Sequence, residues 1–451
     1  MTTFRLVRVA LSLMAVMVSL TTTAAAQTND EIFPTLEWNF STPGARANGM
    51  GRSFIGLADD ATAAITNPAG LVSLTRPQIY AEYKNTRLKV ERLADINALT
   101  TLQPTAFTSV VNALSFLSFS VPVSNKIAVG FSVHRFLDYH EVFNLATRKI
   151  PNDPSNIFFF PVSGTADFTG TAFGGSVAYM VTNALRVGLT VAGNYFQGDS
   201  VATRTDFIRG PNFATNPVDF VSSGIIASQT SIHDTQTALS ASVGALYRIN
   251  DMVNVGFSFE KSPRFTTSET FQTNPGFRTL AQSPFGTNQP LVTSSNFPKS
   301  VAINVPNHFG FGVSVRPNAK FLVAGDVVRM NYSSLSENTT LVFSSNLSGT
   351  EYVTPDATEV HLGAEYNVYN MQGNPVFIRA GVFTNPNHLV RFAGTSDAAT
   401  NAQETAKYNL LPRKDETRGT FGVGIALGPR AQIDAAYVFS KEFVLSSAIR
   451  F

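Results

Sequence analysis

The chain has 451 residues, a net charge of +2, 37 Phe, one Trp and no Cys. So small a net charge excludes a nucleic-acid partner gathered by a broad electrostatic field. The absence of Cys excludes a disulfide framework and thiolate metal sites, and it suits a chain that crosses an oxidising compartment unfolded.

Residues 1–26 read as a secretory signal. Arg5 and Arg8 form a basic start, Val9 to Leu20 is an apolar run too short to span a bilayer, and Ala24-Ala25-Ala26 offers a small-residue cleavage site before Gln27. No later stretch is long and apolar enough to cross as a helix. A mature chain that sits in a membrane must therefore cross as a closed barrel, which alone satisfies every backbone group there without helices.

Residues 27–75 follow, and within them Gly44 to Leu71 is rich in Gly and Ala around an acidic pair, Asp59-Asp60. Either carboxylate is expected to cap a short helix over Ala61 to Thr66. Pro68 stops that helix and disfavours α geometry at Asn67, and Gly70 supplies a permissive turn.

From 76 to 451 the chain alternates. Ile127, Val129, Phe131 and Val133 sit between Ala128, Gly130, Ser132 and His134. Val253, Val255, Phe257 and Phe259 sit between Asn254, Gly256, Ser258 and Glu260. Phe309, Phe311, Val313 and Val315 sit between His308, Gly310, Gly312 and Ser314. Period two means strands. An apolar face opposite one carrying charge and Gly is the pattern of a transmembrane barrel with a wet or ligand-bearing lumen.

Short links at Pro122 to Lys126, Asn183-Ala184, Asn250-Asp251, Pro317 to Ala319, Asn370 to Asn374 and Gly428 to Arg430 alternate with long ones. The long ones are expected at 91–112, 142–164, 207–230, 272–300, 335–356 and 387–415. The fold class is thus an all-β transmembrane antiparallel barrel of about fourteen strands, with short periplasmic turns and an N-terminal plug containing short helices. The last strand, Phe443 to Phe451, closes onto the first. Its terminal Phe451 resembles the assembly signal of outer-membrane barrels.

Gly49-Met50-Gly51, then Ala58-Asp59-Asp60-Ala61, then Asn67-Pro68-Ala69-Gly70-Leu71 resemble the N-terminal hatch of the FadL/TodX-type outer-membrane transporters of hydrophobic compounds. Later hairpins such as 298–327 and 418–439 are similar to that family in pattern. The resemblance implies passive uptake of a long-chain fatty acid or hydrocarbon by a Gram-negative cell. The ligand would be caught on outer loops, pass to a barrel pocket and leave sideways when the hatch shifts. Partners would be that ligand, outer-membrane lipid, lipopolysaccharide and the barrel assembly machinery. No cofactor is expected.

Other residues are weighed against this. Phe213, Phe220, Phe277 and Phe285 make the long loops 207–230 and 272–300 apolar, as a capture surface or as a packed cap. His134, His308 and His361 share inward parity, but nothing joins them to a nucleophile, and no cluster has metal-ligand spacing. Glu365 and Arg379 share inward parity as a cross-strand pair, and Arg379 is available to a ligand carboxylate. Arg186, Arg248, Arg316 and Arg450 lie beside short turns as a basic ring that Asp59 and Asp60 could face. Gly130 is a candidate weak point for a lateral gate. A surface scaffold barrel, a polar porin and a barrel lipase stand as alternatives.

Overall fold

A computed structural model describes residues 38, 40, 42–96, 102–145, 148–149, 158–159, 161–209, 220–276, 289–293, 300–335, 352–371, 374–388, 391–393 and 415–451. The expected signal segment 1–26 lies outside them, as do Phe213, Phe277 and Phe285.

Fourteen antiparallel strands close into a barrel. They are β1 (Gln78–Ile96), β2 (Leu102–Ser124), β3 (Ile127–Leu145), β4 (Val162–Met180), β5 (Leu185–Arg209), β6 (Phe220–Arg248), β7 (Val253–Lys261, resuming as Arg264–Thr273) and β8 (Ser300–Asn304, resuming as His308–Asn318). Then come β9 (Phe321–Met330), β10 (Ala357–Met371), β11 (Asn374–Asn385), β12 (Glu416–Leu427), β13 (Ala431–Val438) and β14 (Glu442–Arg450). Each pairs with its neighbours in sequence, and Gln78↔Arg450 through Thr86↔Glu442 seals β1 to β14, so the sheet closes on itself.

The alternation places the side chains as the sequence demands. Ile79, Phe131, Val187, Tyr247, Phe309, Phe311, Leu362, Tyr366, Ile433 and Tyr437 face outward and are exposed, forming the apolar band of a lipid-facing wall. The strands outrun the expected loops: β1 runs to Ile96, β2 starts at Leu102, β5 runs to Arg209 and β6 starts at Phe220. These hairpins carry their ladder past the apolar band. Phe220 is therefore a strand residue paired with Arg209 and not a loop residue.

Two strands break at one level. Pro263 and Pro306 lack the N–H a ladder needs, so β7 and β8 interrupt side by side. Ser262 Oγ donates to the Pro306 carbonyl (2.9 Å), and Ser262 N donates to Asn307 Oδ1 (2.9 Å). Elsewhere the backbone ladder lapses, and Ser109 Oγ donates to His140 O (2.5 Å) across the gap. The β2–β3 ladder runs from Ser124↔Ile127 to Phe116↔His134 and stops, although β2 keeps its bonds to β1 and β3 its bonds to β4. A bulge between Arg135 and Leu137 adds Phe136 to β3 and turns both Phe136 and Leu137 to the interior. Gly130, by contrast, is paired on both sides, to Ser120 and Ser176. The weak line in the wall thus lies above it.

The N-terminal segment lies inside the barrel. It holds α1 (Ala45–Gly49), α2 (Ala63–Thr66) and a 3-10 turn, Pro68–Ser73. Asn67 is extended before Pro68, and Pro68 opens the 3-10 turn at its first position, where no N–H is needed.

Candidate functional site

The inner surface has a floor, a cavity and a ceiling. The floor is the N-terminal segment, seated on glycines of the wall. A Cβ at Gly188 would overlap the Pro68-Ala69 peptide, one at Gly244 the Asn67 amide, and one at Gly256 the Ile55 carbonyl. Gly312 faces Gly56, Gly363 faces the Met50 carbonyl, Gly381 faces Gly51 and Gly422 faces Gly49. Seven strand glycines thus let two backbones touch. They do not line water, which corrects the expectation that inward Gly marks a wet lumen.

Polar side chains of the wall then satisfy the segment's backbone. Thr420 Oγ1 donates to the Gly49 carbonyl and accepts from Gly51 N, both at 3.0 Å. Asp326 accepts from Phe54 N (2.6 Å) and Ile55 N (2.9 Å). Ser314 donates to Gly56 O and Thr190 to Ala64 O, each at 2.8 Å. Asn67 Nδ2 donates to Ile55 O (2.9 Å) and to Ala245 O of the wall (3.1 Å), while its Oδ1 accepts from Ala69 N (3.3 Å). Gly70 has no positive φ; a Cβ there would overlap Ala58, so close packing requires it and the expected turn conformation does not.

Charges complete the floor. Arg46 forks onto Glu365 (2.8 and 3.1 Å) and reaches Asp59 (2.6 Å). Arg379 donates to Glu365 and to Asp434, both at 2.7 Å. Arg316 lies 3.7 Å from Asp59. Glu365 and Arg379 do pair across β10 and β11, but they lock the floor and do not line the cavity. The Arg379 side chain is fully buried between two carboxylates, so it is not available to a ligand. Asp60 accepts from Thr62 N (2.9 Å) and Thr62 Oγ (2.5 Å), making an Asx turn. The helix begins later than expected, at Ala63, and has no side-chain cap. Burial pushes the Asp60 carboxyl up to about 6, against the pull of Arg46, which lies 4.0 Å away. Of the basic ring, Arg316 meets Asp59, Arg186 donates to Ser73 Oγ (2.7 Å), Arg248 to Asn183 O (3.0 Å) and Arg450 to Gln432 (3.1 Å).

Above the floor lies a cavity. Ile55, Ile65, Phe136, Val305, Val328 and Met330 give it an apolar lining. His134, His308, His361, Asn194, Ser242 and Glu260 are among its polar groups. His361 Nε2 meets Glu359 at 3.1 Å. A second cavity lies behind the β2–β3 separation, against Val111, Ala113, Arg135 and Asp138. Phe40 and Arg52 line both cavities and stand between them. Arg52 has a left-handed φ of 67°, meets Glu442 at 3.2 Å and lies 4.2 Å from the Phe383 ring centre.

The ceiling is aromatic. Trp38 stacks on Phe136 (6.5 Å), Phe136 on Phe265 (6.2 Å), Phe265 on Phe196 (5.2 Å), Phe196 on Phe168 (5.9 Å) and Phe168 on Tyr139 (6.3 Å). These rings belong to one buried apolar cluster inside the upper barrel. The sequence reading missed them. Phe136, Phe168 and Phe196 are aromatic residues at inward parity, a signal that parity counting contained. Tyr139 reaches the interior only through the bulge, and Phe265 only because the phase of β7 switches at the 262–263 break.

Phe451 follows β14 as an exposed residue whose N–H donates to Pro77 O (3.0 Å). Among the described residues no group of His, Cys, Asp or Glu is placed to hold a metal ion.

Residues 39–447 match the family of outer membrane protein transport proteins described as OMPP1/FadL/TodX. A Pseudomonas aeruginosa FadL homologue superposes with a TM-score of 0.59 at 13% identity, over 95% of this chain and 100% of its own. The Ralstonia pickettii toluene transporter TbuX gives 0.57 at 13% identity over 92% and 99%. The P. putida toluene transporter TodX gives 0.59 at 12% identity over 92% and 99%. At these identities the likeness shows the fold. No curated protein matches the chain.

Proposed function

The chain belongs to the FadL/TodX family of outer-membrane transporters of hydrophobic compounds, and from that premise we propose a path for the ligand through this barrel. Apolar residues of 207–230 and 272–300, including Phe213, Phe220, Phe277 and Phe285, capture a hydrophobic molecule at the outer face. It passes the aromatic ceiling by rotation of stacked rings, occupies the cavity and leaves sideways between β2 and β3. Burial at about 25 cal/mol per Å² gives it a site that a water-filled pore lacks. The protein is a transporter and not an enzyme, so binding and release are its whole chemistry.

Residues 27–75 are the hatch, carrying Gly49, Gly51, Asp59, Asp60, Asn67, Pro68, Ala69 and Gly70, and residues 76–451 are the barrel. One observation carries the gating: Phe40 and Arg52, both of the hatch, separate the cavity from the cleft behind the lapse in the β2–β3 ladder. The glycine seat and the ion pairs hold the rest of the hatch still, so displacement of these two side chains joins the two spaces. Phe451, on the strand that closes the barrel, is the assembly signal read by the outer-membrane insertion machinery.

The test is uptake of a radiolabelled alkylbenzene by cells with and without the protein. Arg52→Ala is expected to change the uptake rate, and a disulfide across β2 and β3, between Cys introduced at Ser109 and His140, to abolish it. Full uptake through the cross-linked wall would overturn the lateral route.

A further inference from the structure

His308 and Glu260 face each other across β7 and β8 at the edge of the cavity. Their side chains approach to 3.9 Å, His308 Nε2 to Glu260 Oε2. That is too long for a hydrogen bond. It is the separation that a single oxygen at about 2.8 Å from each would bridge. Neither group is well satisfied otherwise. Among the described residues His308 Nδ1 is buried without a partner, and Glu260 receives only a 3.5 Å contact from Ser262 Oγ. A nine-tenths-buried side chain opens to the same cavity unpaired at one atom, His361 at its Nδ1. The surroundings are apolar: the Phe40 ring lies 5.6 Å from the His308 ring, and Pro263, Val305 and Met330 line the same cavity.

The charge balance decides what kind of ligand fits. Among the described residues Arg52 is the one Lys or Arg that lines the cavity, and it is paired with Glu442. Arg46 and Arg379 are held by Asp59, Glu365 and Asp434 beneath the floor. Glu260 and Asp326 also line the cavity. A ligand carboxylate would enter a space with two carboxylates and no unpaired Lys or Arg, at a repulsive cost.

We propose that the cavity selects a neutral apolar molecule bearing one hydroxyl, a phenol or aliphatic alcohol, whose oxygen bridges His308 and Glu260. The hydroxyl donates to the Glu260 carboxylate and accepts from the His308 ring N–H, while the hydrocarbon part lies against Phe40, Val305 and Met330. This rests on the uptake reading above and narrows its substrate class.

The experiment is calorimetric binding to the purified full-length protein in nanodiscs, with 4-butylphenol, butylbenzene and 4-butylbenzoate at pH 7.5. The phenol is expected to bind about tenfold more tightly than butylbenzene, the value of one hydrogen bond to a charged acceptor, and the benzoate most weakly. Glu260→Gln and His308→Phe are each expected to reduce the phenol's advantage to threefold or less, with heat-modifiability confirming a folded barrel. Equal binding of phenol and butylbenzene would overturn the proposal while leaving hydrocarbon uptake standing, and the His308–Glu260 gap would then hold water only. Tightest binding by the benzoate would overturn it too. If none of the three binds, the proposal and the uptake reading both fall.

Discussion

The two ends of the lumen are closed by opposite means. At the periplasmic end backbone lies on backbone: Met50, Gly51, Ile55 and Gly56 meet Gly363, Gly381, Gly256 and Gly312, with side chains present mainly as hydrogen bonds and ion pairs. At the outer end the backbone stays in the wall and rings fill the space, from Trp38 to Tyr139. A backbone contact has no rotamers to exchange, whereas a stacked ring can rotate about χ1 within nanoseconds to microseconds when its neighbours yield. The difference teaches where movement belongs. The floor is a seal, and the ceiling and the Phe40–Arg52 partition are the adjustable parts.

The strongest way to break this comparison is to remove the floor. A chain lacking residues 28–75 should still close β1 onto β14, because that ladder uses none of them, and should conduct ions in planar bilayers. An electrically silent deletion barrel would show that the segment does not seal the lumen.

A smaller change attacks the seat itself. Gly363→Val places a branched side chain where Met50 O now lies. Overpacking of this kind costs about 1–3 kcal/mol. Intermittent conductance is expected, with faster proteolysis of the N-terminal segment and an intact heat-modifiable barrel. The same substitution at Gly175, where a Cβ meets nothing within 4 Å, should do neither.

Asn67→Ala sharpens the comparison further. It strands the carbonyls of Ile55 and Ala245 and the amide of Ala69, each about 1–3 kcal/mol if left dry. Hydrogen exchange in 67–73 should accelerate while exchange in β6, whose ladder is intact, stays slow.

The smallest expected effect is a pH dependence. The Asp60 carboxyl titrates near 6 in the folded protein, above its ordinary value of 3.8. A raised carboxyl binds its proton more tightly when folded. Burial therefore costs most above pH 6, on the order of 3 kcal/mol before relaxation, and this cost fades as the pH falls through 6. Arg46 and Asp59 are its charged neighbours. Exchange of residues 58–66, corrected for intrinsic rate, should be slower at pH 5 than at pH 8 relative to an Asp60→Asn protein, which lacks the group. Identical profiles for the two proteins would show that Asp60 is not ionised in the native floor.

Much was legible in the chain itself. Period two in segments such as 127–133 and 309–315, with short turns spaced between them, determined a closed barrel and which side chains meet lipid. That follows because a strand has only two faces and a bilayer tolerates one chemistry. The plug's composition and the Asn67-Pro68 stop were also local signals. Tertiary structure alone decided three things. Inward glycines became a seat because hatch residues more than a hundred positions away in sequence press on them. Arg379 became a locked strut because Glu365 of β10 and Asp434 of β13 converge on it, although its parity alone allowed a free cation. Tyr139 joined the ceiling because one extra residue in β3 switches every side chain beyond it to the other face. Alternation fixes which face a residue shares. What stands opposite it across the lumen is set only when the barrel closes.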